Sequence, residues 1–342
     1  MRRFSAIALT LMASIAVSQS SFADTPHAID MDAVRQAYRR PSATPFPPDN
    51  PYSTEKVQLG WMLFFDPRLS GSDNISCATC HNPALSWGDG MPRGIGHGAS
   101  QLGRRSPTVA NLAWADRLMW DGRKTSLEDQ AFGPIETEAE MAMQGEKLLD
   151  KLKAIPEYRV RFNAAFPGEG LTRPAIAQAL ATYERTIVSG IAPFDRWLSG
   201  DDAAISDSAK RGFVLFNGKA SCNLCHEGWS LTDHAFHDIG LPDVDLGRGA
   251  NLKLPSMQHA FKTPTLRDIA RRSPYMHDGS IKTLRDVVLH YDRNFVSRPS
   301  LAAEVKRLSL SSKDVDDLVA FMETLTGEQQ PVTLPLLPAG AH

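Results

Sequence analysis

Two copies of one five-residue pattern constrain this chain more than anything else in it: Cys77-Ala78-Thr79-Cys80-His81 and Cys222-Asn223-Leu224-Cys225-His226. The 342 residues contain four cysteines, and these two motifs use all of them. A CxxC pair followed at once by His is the attachment pattern of c-type haem. The two thiols add across the haem vinyl groups, and the adjacent imidazole reaches the iron from the proximal side. Two CxxC disulfides or one four-thiolate zinc site are the rival uses of such cysteines, and neither explains the repeated His. The chain is therefore expected to carry two covalently bound haem c groups.

The gross properties agree with an exported, soluble, two-domain protein. Arg2 and Arg3 precede an uncharged apolar run from Ala6 to Val17, and Ser21-Phe22-Ala23 places small residues where a signal peptidase needs them. Residues 1–23 read as a cleavable signal peptide, which points to a bacterial periplasm. The rival reading is a short membrane anchor, but the run is too short to span a bilayer, and no later stretch reaches spanning length. A formal net charge of −2 gives no reason to expect nucleic acid as a partner.

Apolar spacing predicts helices over 57–65, from Ser126 as N-cap, and over 145–152, 159–166, 173–189, 206–217, 284–291 and 312–325. Alternating strand patterns are scarce. The expected fold is mainly α, with two cytochrome c-like haem domains, long loops and little β. Each CxxCH follows a helix ending in bulky apolar residues, Met62-Leu63-Phe64-Phe65 in one case and Val214-Leu215-Phe216 in the other. That weak repeat suggests an N-terminal haem domain over 24–198 and a C-terminal one over 199–330, followed by a Pro-containing tail over 331–342. Residues 24–55, rich in Pro, read as an extended lead-in.

Further stretches resemble the bacterial dihaem cytochrome c peroxidases and the related MauG proteins over roughly residues 55–325. They include Leu63-Phe64-Phe65-Asp66, Ser106-Pro107-Thr108-Val109, Met119-Trp120-Asp121-Gly122-Arg123, the run from Glu128 to Ile135, and Glu140-Met141. The second half adds Phe236 to Gly240, Phe261 to Arg267 and Ser273 to Gly279. The resemblance implies that peroxide meets the first haem, on His81, and that the second haem, on His226, exchanges electrons. Trp120 matches the tryptophan between the haems. Glu140 matches a distal acid/base group that moves protons on H2O2, and Gln130 a group that orients peroxide or water.

The same resemblance locates the sixth ligand of the second iron fourteen positions after the His of Pro274-Tyr275-Met276-His277-Asp278-Gly279, which gives Tyr291. Peroxidases usually carry Met there, whereas MauG-type proteins carry Tyr. A phenolate lowers the potential and favours oxidised iron. Met257, Met276 and His290 are the alternative ligands. Sixteen positions after His81 stands His97, where many peroxidases hold a displaceable second His. The family also binds calcium between the haems, through backbone carbonyls at the positions of Arg272 and Pro274; a peroxidase Asn that contributes to that site corresponds to Arg105 here.

The expectation is a MauG-like oxidoreductase that uses H2O2, or O2 plus electrons, on tryptophan in a partner protein. The methylamine dehydrogenase precursor, matured to tryptophan tryptophylquinone, is the named candidate. Electrons would pass to or from a small protein such as a cytochrome c or a cupredoxin. The alternatives are an H2O2-reducing cytochrome c peroxidase and a non-catalytic dihaem electron carrier.

Overall fold

The computed structural model describes residues 30–339, so the expected signal peptide lies outside the described residues. Helices dominate. In chain order they are α1 (Met31–Ala37), α2 (Thr54–Phe65), α3 (Cys77–Cys80), α4 (Leu127–Glu136), α5 (Gly145–Lys153), α6 (Pro156–Ala165), α7 (Arg173–Arg185), α8 (Pro193–Leu198), α9 (Asp207–Asn217), α10 (Arg248–Leu252), α11 (Leu284–Leu289) and α12 (Ser312–Glu323). Among the described residues β structure amounts to two short antiparallel strands, β1 (Phe236–His237) and β2 (Phe261–Lys262), with His237 opposite Phe261.

Local chemistry explains the helix starts. Ser53, Ser126, Thr172, Ser206, Thr283 and Ser311 each accept a backbone N–H from the first turn, which satisfies a donor that no helical carbonyl can reach. The lead-in was expected to be extended throughout. It instead contains α1, because Asp30 accepts the N–H groups of Asp32 and Ala33 and caps a short helix ahead of the prolines. The tail over 331–339 is extended, and Arg68 holds it by donating to the Pro338 carbonyl at 2.8 Å.

Two apolar clusters organise the molecule. One joins α2, α4, α5, α6 and α7 around the fully buried Leu63, Phe64, Ile135, Tyr158 and Phe162. The other joins α8, α9, α11 and α12 around Phe194, Phe213, Phe216 and Phe321, with Tyr38 from the lead-in packed edge-on against Phe194 and Phe213.

The weak sequence repeat has a structural counterpart. A Cβ on Gly60 of α2 would lie 2.0 Å from the Ala179 carbonyl oxygen of α7, and one on Gly212 of α9 would lie 1.9 Å from the Asp317 carbonyl oxygen of α12. In each half, the helix before the haem motif crosses a later helix so closely that only hydrogen fits at the crossing. Each of these glycines stands four residues before a buried Phe, Phe64 or Phe216.

Candidate dihaem active site

A cavity of about 720 Å³ runs between the halves and reaches both CxxCH motifs. Cys77, Cys80 and His81 line one part of it, and Cys222, Cys225 and His226 another. The four thiols are free, so the disulfide reading fails. The zinc reading fails too. Among the described residues the one group of potential metal ligands close enough to share an ion is Cys225, Asp233 and His237, which contains a single cysteine. Haem attachment consumes the Cys225 sulfur. The remaining pair is an ordinary ion pair, with His237 Nε2 2.7 Å from Asp233 Oδ2, a bond that raises the imidazole above its ordinary range.

Both motif histidines are preset for iron. His81 Nδ1 lies 3.3 Å from the Trp87 carbonyl oxygen, and His226 Nδ1 lies 2.9 Å from that of Leu231. A carbonyl only accepts, so Nδ1 carries the proton and Nε2 keeps the free lone pair. Burial lowers the pKa of both rings and keeps them neutral. Thiols and imidazoles on the wall of one largely apolar cavity fit two covalently held haems. When bound, the haems supply the iron redox chemistry.

On the first side, the cavity wall holds Gln130 and Glu140. Gln130 lies in α4, and Nε2 makes a 4.0 Å contact with Met119 Sδ. Pro134 has no N–H to offer the Gln130 carbonyl, so the helix is opened one turn beside the cavity. Glu140 has no ion-pair partner. Desolvation raises its carboxyl above the ordinary range, with distant Arg123 opposing. His97 does not line this cavity. Its backbone N–H donates to the Glu140 carbonyl at 2.8 Å, while its Nδ1 is buried without a partner. Gly96 lets that loop press against Ala139, whose carbonyl oxygen would lie 2.0 Å from an added Cβ.

Trp120 stands on the seam between the halves. A bridge between Leu118 and Lys124 closes its loop, and Lys262 of β2 donates its backbone N–H to the Trp120 carbonyl at 2.8 Å. The indole N–H donates to the Arg105 carbonyl at 2.8 Å, and the ring meets His277 edge-on at 6.4 Å. Arg104 adds a charged tie across the same seam, bonding Asp121 and Asp245 at 2.7 Å each.

On the second side, Tyr291 lines the cavity from a single wide π turn, His290–Asn294, that continues α11. Such turns re-aim one side chain, and they recur at functional sites. Burial pushes the Tyr291 hydroxyl up, and the Cys222 and Cys225 sulfurs are near enough to add to that. His290, an alternative ligand, is committed elsewhere through Nε2 to the Ile239 carbonyl at 2.8 Å. Met257 does not line the cavity, whereas Met276 does.

Calcium fits less well. The Arg272 carbonyl expected to bind it accepts instead from Arg105 Nη2 at 2.7 Å. Pro274, the other expected ligand, does not line the cavity.

Among the ionisable residues on the cavity wall, sequence reasoning gave no role to Glu184 or Lys262. Glu184 is buried, without a hydrogen-bonded partner, and pushed up to about 8 by desolvation. Its signal was an acid inside the apolar face of a helix, masked by the adjacent Arg185. Lys262 is lowered to about 8, again by burial.

Residues 54–203 match the family model for di-haem cytochrome c peroxidase, and residues 209–326 the model for cytochrome c. The chain is 50% identical over 313 residues to the methylamine utilization protein MauG of Methylorubrum extorquens, covering 90% of this chain and 89% of that one. It is 37% identical over 303 residues to the cytochrome c551 peroxidase of Pseudomonas aeruginosa, covering 85% and 84%. The crystal structure of a MauG-like protein associated with microbial copper homeostasis superposes with a TM-score of 0.77 at 30% identity, covering 85% of this chain and 95% of that one. Both attachment motifs, the shared cavity and these relatives agree: the chain is a haem-dependent, peroxidase-type oxidoreductase of the di-haem cytochrome c peroxidase and MauG family.

Proposed function

We propose that this protein is a MauG-like periplasmic enzyme that oxidises tryptophan in a partner protein with H2O2, or with O2 and electrons. The relatives named methylamine utilization protein support methylamine dehydrogenase precursor as the partner, with maturation of its tryptophan tryptophylquinone as the outcome. The observation that carries this reading is Tyr291 on the cavity wall beside the second motif. A thioether at that place suits electron entry from a small cytochrome, whereas a phenolate oxygen lowers the potential, which makes that haem a poor entry port for electrons but lets it hold one of the oxidising equivalents generated by peroxide.

The chain's own residues divide the remaining work. His81 and His226 present Nε2 lone pairs. Glu140, held above the ordinary carboxylate range, is poised to take a proton from the near oxygen of peroxide and return it to the leaving oxygen. Gln130 offers an amide N–H to orient the peroxide beside it. Trp120 supplies an aromatic stepping stone on the seam between the two motifs. The partner protein would stay outside, because haems held at the two motifs would occupy the cavity between the halves, and its oxidation would proceed by electron transfer through the protein.

The test mixes the holoprotein and H2O2 with quinone-free methylamine dehydrogenase precursor. Growth of the quinone absorbance and a matching mass change in the precursor are expected. An unaltered precursor, together with rapid H2O2 consumption driven by reduced small cytochrome c, would assign the protein to peroxide disposal instead.

A further inference from the structure

Arg105 and Arg272 are buried side chains, 7% and 5% exposed, and both line the interdomain cavity. Burial is the largest influence on each and holds both guanidinium groups below their ordinary range. Buried arginines normally sit on carboxylates. These two do not: Arg105 Nη2 donates to the Arg272 carbonyl at 2.7 Å, and Arg272 Nη2 donates to the carbonyls of Thr265 and Arg267. Asp89 is the acid nearest Arg105 in effect, but its Oδ2 accepts from Ser106 Oγ at 2.6 Å. The Nε atoms of Arg105 and Arg272 are buried with no partner at all.

Arg105 is also a structural joint. Its backbone N–H donates to the His277 carbonyl at 2.7 Å, which ties the two halves together, and its carbonyl receives the Trp120 indole. One residue therefore places a fixed positive charge at the seam, takes the carbonyl of Arg272 and positions Trp120.

Calcium requires about six to eight oxygen ligands at roughly 2.3–2.6 Å. At this seam an expected oxygen is already bound to a cationic donor, the side chain expected to give another oxygen is a guanidinium, and a second buried guanidinium stands beside it. A divalent ion would meet repulsion in a low-dielectric setting. We propose that Arg105 replaces the interhaem calcium: its guanidinium is the built-in cation of the seam, and this protein is calcium-independent. The two unpartnered Nε–H groups then await an anion, and the carboxylate side chains that haem carries are the anions this protein acquires.

The test uses the holoprotein and does not depend on the identity of its substrate. Mass-spectrometric metal analysis after dialysis is expected to find calcium well below one ion per chain. EGTA is expected to leave the absorption bands of both haems unchanged. Arg105→Asn removes the cation and restores an oxygen ligand, so its haem bands are expected to respond to added calcium, with a roughly tenfold or larger gain in turnover. Arg105→Lys keeps a cation and is expected to ignore calcium. One tightly held calcium per wild-type chain, or wild-type bands that shift with EGTA, overturns the proposal whether or not the variants fold. So does a folded Arg105→Asn protein that is indifferent to calcium.

Discussion

The indole N–H of Trp120 donates to the backbone carbonyl of Arg105 at 2.8 Å. The aromatic ring on the seam is thus anchored to the residue that joins the two halves through His277. Trp120→Phe keeps an aromatic ring but leaves the buried Arg105 carbonyl without its donor, at an expected loss of about 1–2 kcal/mol in urea unfolding. Turnover is expected to fall well beyond what that loss explains, because the indole is the easier ring to oxidise. Full turnover in a destabilised variant would exclude Trp120 from the path between the haems.

Glu140 has to be ionised to accept a proton, and desolvation raises its pKa. The rate is therefore expected to climb with pH along a limb lying above the ordinary carboxylate value of about 4.3. Glu140→Gln is expected to erase that limb and slow peroxide turnover by roughly 10²–10⁴-fold. A pH–rate profile identical in wild type and variant would remove Glu140 from the proton path.

Glu184 sets a different pH dependence, one of stability. Its carboxyl is raised from 4.5 to about 8 in the folded protein, so folding favours the protonated form. The stabilising contribution is complete below about 4.5 and is lost as pH rises through about 8. Glu184→Gln keeps the shape without the charge, and its unfolding midpoint is expected to decline less across that interval. Parallel curves for the two proteins would refute the assignment.

Gly212 marks the crossing of α9 over α12, where an added Cβ would strike the Asp317 carbonyl at 1.9 Å. Gly212→Ala forces these helices apart beneath the second haem motif. The expected loss is roughly 3 kcal/mol, read from chemical denaturation. A neutral substitution would mean that the crossing relaxes freely.

The parts of this molecule governed by neighbouring residues were legible in its sequence. Apolar spacing announced α2, α5, α6, α7, α9, α11 and α12, the Ser126 cap announced α4, and two CxxCH motifs announced two haem sites, which the fold brings onto one cavity. Helix α1 was not read because five prolines between 41 and 51 outweighed the single cue of Asp30. The chain beyond Leu289 was read as plain helix, since nothing in the spacing distinguishes a π turn from an α turn. Glu184 was hidden for a physical reason: Arg185 looks like its partner but reaches Glu128 instead, at 2.6 and 2.9 Å. The bond from Arg105 to Arg272 spans 167 positions, and no local pattern encodes it. Arg105 stood out in the sequence only as a departure from the family.

We propose that Tyr291 is the sixth ligand of the second haem. Its hydroxyl is held protonated by burial in the absence of a cation, and bound ferric iron is what would displace the proton. The most direct measurement is the absorption spectrum and midpoint potential of the second haem in wild type and Tyr291→Met holoprotein. A changed ligand signature and a potential shifted upward are expected in the variant, because a thioether favours reduced iron and a phenolate does not. A spectrum and potential unaltered by the substitution would contradict it.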